Sequence, residues 1–323
     1  MFNKLLMGTA ALSLAASMAF AAQGVRFNVA EGNMEEAYNK MVNEQIESIG
    51  YILSDPHERI NDGYAEKYHG SNLDNLGFMS ITNDEALRTL LIKEPRIAGF
   101  APFNLHVYKL KAEDKTYVGH VTPSTMMDIV GVKDKAIRKE YAAMFPALDK
   151  LVQDKIGGKV EYIEYDKLTA NPMMNFEIKF DRPDDLNDFI DEFQEKFEEK
   201  FEDKKYIIAG YKNFRESYDD LEQDFSKYDA FWVYSLCHFS FSESVFNRND
   251  NATVDGRPDA GVFAPCSMYM YIEKDSNTLV VGMPKLENWI AVMGIKDATK
   301  VASIHKLDAE IISMMKELGA TVK

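Results

Sequence analysis

Across its 323 residues the chain holds only two cysteines, Cys237 and Cys266, ten prolines and two tryptophans. With so few cysteines it cannot be a small disulfide-stapled scaffold. Beyond the N-terminus no run is both long and apolar enough for a membrane-spanning helix, so no transmembrane segment is expected in the mature chain. Basic residues are in deficit, 37 Lys and Arg against 52 Asp and Glu, and they do not cluster. Nucleic acid and anionic lipid surfaces are therefore disfavoured as partners, because counterion-release binding needs a concentrated positive face. The sequence carries no Gly-x-Ser-x-Gly elbow, His-Glu-x-x-His pair, Gly-x-x-x-x-Gly-Lys-Ser/Thr loop or Gly-x-Gly-x-x-Gly turn. The composition, 46% hydrophobic and 28% charged, is that of a globular protein and names neither a reaction nor a cofactor.

What is present begins with a leader. Lys4 precedes an apolar stretch from Leu5 to Phe20, and Ala19-Phe20-Ala21 has the small-x-small form of a cleavage site. Residues 1–21 read as a signal peptide, and a periplasmic or secreted protein is expected after cleavage near Ala21. Loss of Lys4 takes the net charge from −15 to −16.

An internal repeat organises the rest. Phe100-Ala101-Pro102-Phe103 matches Phe263-Ala264-Pro265-Cys266, and Gly131-Val132-Lys133-Asp134 matches Gly294-Ile295-Lys296-Asp297 at the same offset. Between these anchors the hairpins are read as differing in length and later compensating, with Pro123 and Pro284 at equivalent places. Each half carries a strand, a helix capped by Asn33 or Asp181, further strands, and a closing helix over 135–155 or 298–318. In the second half Phe189, Phe193, Phe197 and Phe201 trace the inward face of an otherwise acidic helix. The fold class is α+β: two tandem repeats of a small domain, an antiparallel sheet packed with helices, at 22–157 and 158–323. With no Pro- or Ser-rich linker at Gly157-Gly158, side-by-side packing as a pseudo-dimer is expected.

These residues resemble the bacterial domain of unknown function 302 family. Ser235-Leu236-Cys237-His238, Ala264-Pro265-Cys266-Ser267-Met268-Tyr269-Met270-Tyr271 and Met283-Pro284 carry the likeness in the second half, and Glu94 to Pro102 carries it in the first. Phe103 stands where the family often has Cys, and Ser80 or a neighbour where a corner Cys would be. The resemblance implies a small α+β domain that associates in pairs, and no established activity.

Three readings of Cys237 and Cys266 stay open. A disulfide between adjacent strands would close about 29 residues and stabilise by roughly 3–4 kcal/mol. Two buried free thiols are the second reading. The third is a thiolate pair, with His238 as a neighbouring base and Met268 and Met270 nearby, suited to a soft metal, haem or sulfur ligand. His106 and His120 could approach across the first hairpin, although a core or surface role is commoner. Two functions follow as expectations. One is a non-catalytic exported binding or interaction protein, with a cleft between its repeats for a small apolar ligand or partner protein; the other is a thiol-dependent redox, metal, haem or sulfur-handling protein.

Overall fold

Period-two alternation places each strand. In Phe103-Asn104-Leu105-His106-Val107-Tyr108 the residues at 103, 105 and 107 turn to one face and those at 104, 106 and 108 to the other. The computed structural model describes residues 21–217 and 225–323, so the expected signal peptide, apart from Ala21, lies outside the described residues. The first unit contains β1 (Ala22–Glu31), β2 (Ile52–His57), β3 (Leu73–Thr82), β4 (Phe103–Leu110), β5 (Lys115–Val121) and β6 (Lys159–Tyr165), in the sheet order β2-β3-β4-β5-β1-β6. The second contains β7 (Met173–Lys179), β8 (Tyr206–Asn213), β9 (Tyr228–His238), β10 (Cys266–Glu273), β11 (Thr278–Pro284) and β12 (Thr321–Val322). Its order, β8-β9-β10-β11-β7-β12, retraces the first strand for strand, and every pairing is antiparallel. The chain is thus two repeated α+β domains. No helix among the described residues is long and apolar enough to cross a membrane.

Register corrects the sequence alignment. His106 pairs with Gly119 and Tyr269 with Gly282, so one shift of 163 residues spans both hairpins and they do not differ in length. Pro123 opens a helix while Pro284 ends β11, and the two prolines are not equivalent. Both Ala-Pro bonds, Ala101-Pro102 and Ala264-Pro265, are cis. The unit boundary also moves. Gly157 and Gly158 adopt φ of +70° and +76° and return the chain beside β1 as β6, so the first sheet runs to Tyr165 and the junction is the segment 166–172.

Helix ends follow local chemistry. Asp185, not Asp181, caps the helix Leu186–Asp203, its carboxylate accepting from Asn187 N at 2.9 Å, and Phe193, Phe197 and Phe201 are buried beneath it. The first closing helix is broken into Lys135–Ala142 and Phe145–Lys155, because Pro146 has no N–H with which to continue the ladder. Its counterpart, Ala298–Glu317, is continuous.

The units pack by exchange. The 3₁₀ segment Pro95–Phe100 of the first lies on β10 and β11, and Pro258–Phe263 of the second lies on β3, β4 and β5. Asn104 Nδ2 donates to Gly261 O at 2.7 Å, and its counterpart Ser267 Oγ donates to Pro102 O at 3.0 Å. The ring of His106 is fully buried there, between Pro258 O at 2.7 Å and Gly77 O at 3.0 Å. These links fill most of the face where a cleft is expected. What remains is a groove of about 380 Å³ with Arg96 and Gly131 on one side and Met173 and Lys285 on the other.

Two buried groups give opposing pH dependences. Burial lowers His106 from 6.5 to about 4, so stability falls as acid charges the unfolded state's histidine below pH 6.5. Burial raises Asp308 from 3.8 to about 6, against the Leu286 and Glu287 N–H groups it accepts, and that contribution is present below pH 3.8 and lost as pH rises through 6. Asp308→Asn removes the second slope only. Between pH 6.5 and 4 the variant is expected to lose about 2–3 kcal/mol more than the wild type in urea unfolding. Parallel curves would refute the assignment.

Candidate functional site

The two halves build the same place in the fold from different chemistry. In the second unit β9 ends at Cys237-His238 beside the start of β10, where Cys266 sits opposite Leu236. The strands are adjacent as a disulfide would need, yet both cysteines are free thiols. Burial raises the Cys237 thiol to about 11, although Ser242 and the His238 backbone lower it, and burial with Cys237 and Asp308 nearby pushes Cys266 further up. Both are protonated at neutral pH and are poor nucleophiles.

His238 is occupied. Its Nδ1 accepts from Phe241 N at 3.3 Å and caps the helix Phe239–Phe246, and burial lowers its pKa. Asn83 performs the same capping in the first unit, accepting from Ala86 N, and Thr82 rather than Ser80 occupies the position of Cys237. Met268 and Met270 are wholly buried on the Cys266 face and fill the core. Cys237, Cys266, Met283 and Trp289 line a cavity of about 20 Å³ that Met268 and Met270 do not reach. That is room for about one water, whereas cofactor sites start near 300 Å³, so haem does not fit. Native protein is expected to react with a disulfide reagent at pH 7 about 100-fold more slowly than free cysteine, and at the normal rate in urea. Fast reaction of either native thiol would contradict the protonated state.

In the first unit a separate cluster between the sheet and the closing helix is polar. Arg26 on β1 pairs across the sheet with His120 on β5, and the helix Phe145–Lys155 brings Asp149 over them. His120 Nε2 lies 2.9 Å from Asp149 Oδ1, and Nδ1 lies 2.8 Å from Val121 O. Arg26 Nη1 donates to Asn28 Oδ1 at 2.6 Å and approaches Asp149 Oδ1 at 3.4 Å. Asn28 Nδ2 in turn donates to Gln153 Oε1 at 2.7 Å and Gly157 O at 2.8 Å. Burial alone would raise Asp149, but the hydrogen bond and charge of His120, with Arg26, hold it below the ordinary carboxylate value. The side chains are 1% exposed for His120, 10% for Arg26 and 31% for Asp149. They open on a pocket of about 300 Å³ whose other walls include Thr122, Ser124, Met127, Arg138 and Tyr162.

Register identifies the counterparts. Arg26 opposite His120 corresponds to Met174 opposite Met283, and the helices capped by Asp134 and Asp297 place Ile312 where Asp149 stands. His106 and His120 do not meet: His106 faces the second unit, and His120 faces its own helix beside Phe145 at 5.2 Å. Sequence reasoning passed over Arg26 and Asp149, although charged residues aligned with Met and Ile in the other repeat were a usable signal.

No family model and no curated protein matches the chain. Among solved structures it is similar to one described as the uncharacterized conserved protein DUF302 from Bacillus stearothermophilus. The two are 18% identical, with a TM-score of 0.35, over 46% of this chain and 98% of that one. That description is of the family whose motifs the sequence resembles.

Proposed function

We propose that the chain is an exported, non-catalytic binding protein whose ligand seats in the polar pocket of the first unit, the second unit having apolar residues at the matching positions. One observation carries the reading. The repeat holds its shape with Met174, Met283 and Ile312 where the first unit has Arg26, His120 and Asp149, so the fold does not require the polar cluster. Burying such charges has a desolvation cost that apolar packing avoids, and a retained cluster therefore points to a ligand.

Binding is favoured over catalysis because both nitrogens of His120 are engaged, by Asp149 and by the Val121 carbonyl, leaving neither free to take a substrate proton. The protonated thiols of the second unit argue against thiol chemistry for the same chain. Export is supported by the leader Met1 to Ala21. A seat within one unit is favoured over the groove between the two because the buried charged cluster lines the former. The test is thermal-shift screening of the full chain against a metabolite panel, repeated on the triple variant Arg26→Met, His120→Met, Asp149→Ile. Shifts lost in the variant support the reading; identical shifts in both proteins overturn it.

A further inference from the structure

Resting on that reading, we propose that the ligand is a small organic monocarboxylate held by the Nε–Nη2 edge of Arg26. Of the five N–H donors on this guanidinium, only those on Nη1 have a partner among the described residues, with Asn28 hydrogen-bonded and Asp149 at 3.4 Å. The edge formed by Nε and Nη2 makes no hydrogen bond to the protein, and neither nitrogen is among the sealed, unpaired polar atoms of the interior. It therefore opens on the pocket that Arg26 lines. Two parallel N–H groups in one plane match a carboxylate, which accepts them bidentately.

Charge limits the ligand to a single negative unit. Arg138, the other guanidinium of the pocket, is already committed: Nη1 to Asp128 at 2.7 Å and to Val132 O at 3.0 Å, Nη2 to Ser124 O at 3.2 Å. Asp149 lies 3.4 Å from Nη1 of the same guanidinium and also lines the pocket, so a dianion such as phosphate would meet one free cationic edge and one fixed negative charge. The lining also includes Pro123, Met127 and Ala142, which suit a short carbon chain, and the hydroxyl-bearing Ser124 and Tyr162. At about 300 Å³ the pocket is at the small end of ligand sites.

Isothermal titration calorimetry of the full chain with butyrate, butyramide, butylamine and inorganic phosphate tests this. Butyrate is expected to bind at least tenfold more tightly than each of the others, and Arg26→Gln to weaken it at least tenfold. Equal affinity for phosphate or butyramide, or unchanged butyrate binding in a folded Arg26→Gln protein, overturns the carboxylate assignment. The comparison among probes uses wild-type protein, so it decides the matter even if the variant does not fold. Binding of butyramide or butylamine in place of butyrate, abolished by the triple variant, would leave the pocket reading standing while the carboxylate falls. Binding of none of the four, or binding that the triple variant retains, removes both.

Discussion

Gly119→Ala is expected to destabilise the protein by about 4 kcal/mol, and Gly282→Ala by about half as much. The two glycines are counterparts at the centres of β5 and β11, each beside a strand on both sides. A Cβ on Gly119 would lie 2.1 Å from the carbonyl oxygen of Arg26, a backbone atom held in the β1 ladder. Nothing but a shift of the strand relieves that contact, and such a shift would also move Arg26 and His120. On Gly282 the Cβ would lie 2.2 Å from the ring of Tyr269, a side chain that can tilt although it is buried. Urea midpoints at unchanged slope measure both effects. If Gly282→Ala proves the costlier, the backbone argument is wrong.

The second large effect is a failure of additivity. Arg26, His120 and Asp149 form one unit, so removing any single member leaves charges or donors without their partner. His120→Met or Asp149→Ile alone is expected to cost about 2–3 kcal/mol, below the 3–5 of a fully buried pair because Asp149 is partly exposed. The triple variant installs the residues that the second repeat already uses, and it is expected to lie within about 1 kcal/mol of wild type. The residual cost comes from Asn28, whose buried Oδ1 loses its Arg26 donor. Chemical denaturation of the singles and the triple closes the cycle. Strictly additive losses would mean that the cluster supports the fold, and the binding proposal would then lose its main argument.

The architecture was legible because its signals are local. The Ala-Pro anchors, the alternation after them and the Phe stripe lie within short windows, and each reports a strand or a helix face by itself. The errors arose where two nearby signals competed. Pro123 and Pro284 suggested an alignment that only the pairing of Gly119 and Gly282 corrects. Gly157-Gly158 reads as the domain junction because a glycine pair serves a turn within a domain and a boundary between domains equally well, and the β1 edge that receives β6 lies far away in sequence. Cysteine drew attention in the second repeat for its chemistry, yet burial keeps both thiols protonated. Arg26, His120 and Asp149 gave no motif because three different elements bring them together, and only superposing the repeats shows that their counterparts are apolar.

The exchanged 3₁₀ segments have a further consequence. Each half supplies the cover for its neighbour's sheet, so neither can be lost, but covalent linkage frees the two to diverge. A symmetric homodimer built in this way must display every pocket twice. In this chain only one of the two carries Arg26, His120 and Asp149, Met174, Met283 and Ile312 standing at the other, and the proposed ligand should saturate at one per polypeptide.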